Sequence, residues 1–129
     1  AREQRGSLNL LKYLSNELRM AIVAVGTSEA PVAFQSDAQI HSRFTPLEMP
    51  RWSESEEFRR LLAAFEAALP LKRPSELTQR PLVQYLSAVS GGLLGEVSRL
   101  LNDAAEAAIR DGSERITLGH LEHVANRPS

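Results

Sequence analysis

Apolar positions along the chain change their rhythm twice. In residues 3–18, Leu11, Leu14 and Leu18 fall on one helical face with Leu10 beside them, and this spacing predicts a helix that Gly6 weakens at its start. Residues 20–25, Met-Ala-Ile-Val-Ala-Val, are apolar without polar alternation and close on Gly26-Thr27. A run of that kind reads as a strand buried on both faces. Ser28 offers a cap for a short helix over 29–35, with Pro31 in its first turn, and a second short helix is expected over 37–42. Residues 44–49 read as another short strand, which Pro46 limits to an edge. Helix, strand, helix, strand is the order of an α/β fold.

From Pro50 the rhythm becomes helical throughout. Ser53 and Glu56 have capping-box spacing, the serine accepting an amide of the first turn while the glutamate reaches back. Behind them Phe58, Leu61, Leu62, Phe65 and Leu69 form one stripe, ended by Pro70 and Pro74. Leu82, Tyr85, Leu86 and Val89 repeat the pattern more briefly, and Gly91-Gly92 break it. A long helix then carries Leu93, Leu94, Val97, Leu100, Leu101, Ala104, Ala108 and Ile109 and stops at Gly112. Thr117 caps a last helix with Leu118, Leu121 and Val124. Residues 53–125 thus predict a small four-helix domain. The expected fold class is mainly α with two short strands, an α/β remnant over residues 1–50 followed by a helical domain over 51–129.

Composition narrows the chemistry. The chain has no cysteine, which removes disulfides and thiolate metal sites. Its 15 basic and 16 acidic side chains give a net charge of -1, so a whole-chain basic footprint for nucleic acid is missing. No apolar run reaches the roughly 20 residues that span a bilayer, and no membrane partner is expected. The chain begins at Ala1 within polar helix-like sequence, which reads as the interior of something longer.

The order of elements, and some of the wording, resembles the second half of an AAA+ ATPase module. Leu8-Asn9-Leu10-Leu11-Lys12-Tyr13-Leu14-Ser15-Asn16-Glu17-Leu18, Val25-Gly26-Thr27-Ser28-Glu29-Ala30, Ser42-Arg43-Phe44 and Pro50-Arg51-Trp52 look like the TniB family of bacterial transposon ATPases, relatives of TnsC and MuB. The resemblance runs from about residue 2 to residue 124. It implies the carboxyl half of an AAA+ core over residues 1–50 and a helical lid over 51–129. Thr27 would match the polar sensor beside the γ-phosphate, with Ser28 adjacent. Arg43 would match the arginine finger that reaches the phosphate held by a neighbouring subunit, work that suits an always-charged, bidentate guanidinium. Trp52, at the hinge between core and lid, would stack on adenine or plug the hinge. Where relatives carry a second sensor arginine, Gly95 stands here, and Arg99, one turn further on, would substitute for it toward the nucleotide or else be a solvated helix residue.

No Gly-x-x-x-x-Gly-Lys-Ser/Thr occurs, and no apolar strand ends in Asp-Glu. The resemblance places both upstream of Ala1, so ATP and Mg2+ would belong to the parent protein, and neither hydrolysis nor a bound cofactor is expected of these residues alone. The strand bearing the phosphate loop would lie between the two expected here, leaving a gap of about 10 Å. The helical domain is then expected to fold natively, with residues 1–50 rearranged, disordered or paired between chains. The implied parent is a cytoplasmic, homo-oligomeric transposition regulator that binds target DNA with ATP and recruits or activates a transposase. The alternatives are a non-enzymatic helical adaptor for a protein partner, or an AAA+ ATPase of replication initiation or secretion.

Other constellations read as structural. His120 and His123 lack a third metal ligand, and His41 has no partner at hydrolase spacing. Glu54, Glu56 and Glu57 suit a helix start better than paired catalysis. Lys72 and Arg73, with Arg59 and Arg60, would touch DNA phosphates in an assembled ring or else form a solvated face.

Overall fold

The computed structural model describes residues 2–127. Its elements are seven helices among the described residues: α1 (Arg2–Glu17), α2 (Ala30–Gln35), α3 (Ala38–His41), α4 (Glu56–Ala68), α5 (Arg80–Ser90), α6 (Leu94–Arg110) and α7 (Leu118–Ala125). They fall into two compact units, Ala1–Met49 and Pro50–Ser129.

The expected α/β remnant is not there: no strand exists among the described residues. Residues 20–25 and 44–49 are neither helix nor ladder; Ile22 and Phe44 are half-buried, but Val23 is 85%, Val25 91%, Leu47 90% and Met49 84% exposed. The cause is that a strand is a pairing element. Apolar, β-branched sequence favours extended backbone, but it becomes a strand only when a neighbour takes up its N–H and C=O groups.

In the first unit, α1 turns Leu8 inward at 5% exposure, while Leu11 and Leu14 are half-buried and Leu10 and Leu18 are exposed. The buried stripe is therefore offset from the expected one. Helix α2 starts after Glu29, which makes no side-chain cap, so Ser28 is not the cap it was expected to be; Pro31 does sit in the first turn. Helix α3 is capped by Asp37, whose carboxylate accepts from the amides of Gln39 at 3.0 Å and Ile40 at 3.4 Å. Ile40 is fully buried, and Phe34 and Phe44 meet edge to face with centroids 5.3 Å apart.

The second unit holds the larger core. Phe58 and Leu62 from α4, Val83 and Leu86 from α5, Val97, Leu100, Leu101, Ala104 and Ala105 from α6, and Leu121 and Val124 from α7 form one buried cluster. Burying a side chain of this size contributes roughly 1.5–3 kcal/mol. The cap of α4 is Ser55, whose hydroxyl accepts from the Phe58 amide at 3.2 Å, and not Ser53. Starting the helix there puts Phe58 in the first turn and into the core. Helix α5 ends on Gly91 at φ +58, and the α6 turn passes through Gly112 at φ +79, left-handed positions that glycine takes without a Cβ penalty. Leu93, Leu94 and Ile109, expected on the inner stripe of α6, are 44–45% exposed.

Two core residues lie in loops. Leu77 and Ile116 are 0% and 1% exposed, and the Ile116 amide donates to Ser75 Oγ at 2.9 Å. Their segment is held by Glu66 of α4. Its Oε1 accepts from the amides of Ser75 and Glu76, each at 2.8 Å, and its Oε2 from Leu77 at 3.0 Å. Glu76 has φ +55, which turns successive N–H groups into one concavity for an anion. The carboxylate fills it.

Candidate functional site

Thr27 and Arg43 lie in the first unit, Trp52 and Arg99 in the second. Thr27 is exposed in the connection between α1 and α2, and its carbonyl accepts from the Ala30 amide at 3.0 Å. With Gln4, Gly26, Glu29 and Ala30 it lines an open hollow. A hydroxyl so placed is free to act as donor or acceptor toward a ligand.

Arg43 follows α3, where its own amide donates to Ile40 at 3.0 Å. That turn sets the guanidinium at the surface, and Nη1 donates to Asn16 Oδ1 of α1 at 2.6 Å. A neutral amide oxygen orients the guanidinium without neutralising it. The charge stays available to an incoming anion. Lys12, by contrast, is committed to Asp37 at 2.5 Å, and that contact holds the Asp37 carboxyl below its usual range.

Trp52 is half-buried. Its amide donates to the Gly92 carbonyl at 2.8 Å, and its ring meets Phe58 at 6.4 Å with a 36° tilt. The indole packs against the core of its own unit. Arg99 is spent on its own helix: it bridges Glu96 at 3.0 Å and Asp103 at 3.2 Å. Gly95 faces open space, with nothing within 4 Å of a built Cβ.

One polar cluster was not anticipated. His120 is the third residue of α7 and closes a capping box with Thr117: its amide donates to Thr117 Oγ1, and the Thr117 amide donates to His120 Nδ1 at 3.0 Å. On the other edge of the ring, Nε2 meets Asp111 Oδ2 at 2.5 Å and Ser113 Oγ at 3.5 Å. Hydrogen bonds from the Ser113 side chain, from His120 and from the Ser113 amide hold the Asp111 carboxyl down at about 2. Serine, histidine and aspartate meet here, yet serine and aspartate face the same ring nitrogen. A nucleophile relay needs them on opposite ones, so the cluster is a clasp between α6 and α7. His123 is exposed and takes no part, and no group of three metal-ligating side chains occurs among the described residues. A histidine at the third position of a capping box, where glutamate or glutamine is usual, is why the pattern went unread.

Among the described residues no helix is long and apolar enough to cross a membrane. Residues 1–54 match the family model described as bacterial TniB protein. The matched segment contains Thr27, Arg43 and Trp52 and ends before α4; α4 to α7 lie outside it. No curated protein and no solved structure matches the chain.

Proposed function

We propose that this chain is part of an ATP-driven regulator of DNA transposition, with Arg43 acting between subunits. The observation that carries this reading is the TniB match over residues 1–54, which takes in the Ser42-Arg43-Phe44 turn. In support, the Arg43 guanidinium is exposed and bonded to a neutral amide oxygen, so its charge is uncompensated at the surface. Such a group suits reaching a phosphate on a neighbouring copy, where phosphoryl transfer is catalysed mainly by positioning and charge stabilisation. Thr27, exposed and polar, would be the sensor toward the same phosphate.

On this reading ATP and Mg2+ are held by residues other than these, since the phosphate-binding motif is absent from this sequence. DNA and a transposase are the partners of the assembled cytoplasmic oligomer. Trp52 closes the base of the helical unit without touching nucleotide. Arg99, paired twice along α6, substitutes for a second sensor only by leaving Glu96 and Asp103.

The test is ATP turnover by the intact protein that carries this segment, with and without duplex DNA, with nucleotide binding measured separately. Arg43→Ala is expected to keep ATP binding and lose turnover, and Asn16→Ala to keep most of both. Turnover by Arg43→Ala equal to wild type would make Arg43 an ordinary surface residue. A second reading has one observation of its own: α4 to α7 lie outside the matched residues, and Val89 of α5, Leu94 of α6 and Leu93 between them are 42–44% exposed. A helical adaptor that binds a protein partner accounts for that, and predicts no change in nucleotide chemistry when Arg43 is replaced.

A further inference from the structure

We propose that His120 is a pH-sensitive clasp between the end of α6 and the start of α7, exchanging its bond to the Thr117 amide for a charged bond to Asp111 when the ring protonates.

The argument starts from donors and acceptors. An amide can only donate, so the Thr117 N–H at 3.0 Å from Nδ1 requires that nitrogen to be unprotonated. Nε2 then carries the hydrogen of the neutral ring, and it faces a carboxylate oxygen of Asp111. Both nitrogens are satisfied in that tautomer, and the ring is 12% exposed.

Protonation puts a second hydrogen on Nδ1. The ring can no longer accept from Thr117 N–H, but Thr117 Oγ1 lies 2.9 Å from Nδ1 and can take the new hydrogen. Nε2–H stays on Asp111, now as an ion pair. The balance is one amide left to water against one strengthened bond to a carboxylate. The amide belongs to the N-cap of α7, whose Leu121 and Val124 are core residues. The exchange therefore acts on how firmly α7 begins.

Asp111 is the charged group bonded to the ring. From the rest of α6, Arg110 is paired with Glu106 and Asp103 with Arg99. In the connecting loop Glu114 is paired with Lys72, and Arg115 is exposed. On α7 the other titratable groups are Glu122 and His123, both exposed, and on α5 they are Arg80 and Tyr85. Among the described residues, the ring's own hydrogen-bond partners are Asp111, Ser113 and Thr117.

The experiment is nitrogen-detected NMR of the His120 ring together with the Thr117 amide, across the ring's titration. The expected result is Nδ1 unprotonated in the neutral ring, with protection of the Thr117 amide against exchange falling about fivefold as the ring protonates. His120→Gln keeps an acceptor at this position and does not titrate, so its Thr117 amide is expected to hold constant protection over the same range. Asp111→Asn removes the carboxylate but keeps an acceptor for Nε2–H, so Nδ1 is expected to remain the acceptor of the Thr117 amide in the neutral ring. Nδ1 protonated in the neutral ring, or a Thr117 amide indifferent to the ring's charge, overturns the proposal.

Discussion

Gly92 and Trp52 approach so closely that a methyl group built on Gly92 would stand 2.1 Å from the Trp52 carbonyl oxygen and 3.0 Å from its nitrogen. Both obstacles are backbone, which cannot rotate away, and Gly92 also has φ +75. The Trp52 amide is meanwhile bonded to the Gly92 carbonyl. Gly92→Ala is expected to destabilise the helical unit by roughly 2–4 kcal/mol, combining left-handed strain with displaced backbone. Gly112→Ala is the control, since a Cβ there meets nothing within 4 Å and only the φ penalty applies. Urea unfolding followed by circular dichroism separates the two; equal losses would mean that the close approach to Trp52 carries no energy.

Glu66 accepts three loop amides through one carboxylate. Glu66→Ala leaves those donors to water and frees the segment that carries Leu77. A loss of about 2 kcal/mol is expected, the net worth of charged hydrogen bonds at a half-buried site. Glu66→Gln keeps acceptor oxygen but not charge and should lose less. Denaturant midpoints of the two variants check the order, and a Glu66→Ala protein as stable as wild type would show the contact to be ornamental.

Gly95 lies in the first turn of α6 and faces open space. Replacing it with alanine lowers the entropy of the unfolded chain without meeting a neighbour, so Gly95→Ala is expected to raise stability by about 0.5 kcal/mol. A thermal melt is sufficient to detect this, and a lowered midpoint would mean that the turn needs glycine for another reason.

Asp111 titrates at about 2 in the folded protein, below its ordinary 3.8. Its depressed value means that the fold prefers the carboxylate. The stability it contributes is complete above about pH 4 and is lost as pH falls from there toward 2. Asp111→Asn should flatten that limb of the unfolding curve measured against pH. Asp37, lowered first of all by its hydrogen bond with Lys12, adds a loss of the same sign in the first unit, so the measurement should follow α7 amides.

Helical segments were legible because their apolar spacing follows the turn of the helix, and α4, α6 and α7 bury Phe58, Leu62, Val97, Leu100, Leu101, Leu121 and Val124 as that spacing has it, while Leu94, Ile109 and Leu118 of the same stripes stay exposed. Residues 20–25 and 44–49 were misread because the same apolar, β-branched composition suits a buried strand and an unpaired extended segment. Composition does not say whether a partner strand is present. The start of α4 was misread because Ser53 and Ser55 both precede glutamates, and only the burial of Phe58 decides between them. Leu77, Ile116 and Glu66 sit in or bind irregular loops, where no period marks what turns inward. The meaning given to Thr27 and Arg43 came from resemblance to a family, whereas their surroundings, an open hollow and the Asn16 amide, come from the fold.

Trp52 is the chain's single tryptophan, and it rests on Phe58 beside the core of the second unit. Intrinsic fluorescence excited at the indole band is therefore a built-in reporter for the helical unit. Its emission should shift when α4 to α7 come apart. Tyrosine emission has no such address, because Tyr13 lies on α1 and Tyr85 packs against the helical core, so the indole is the chromophore that reads one unit without a label.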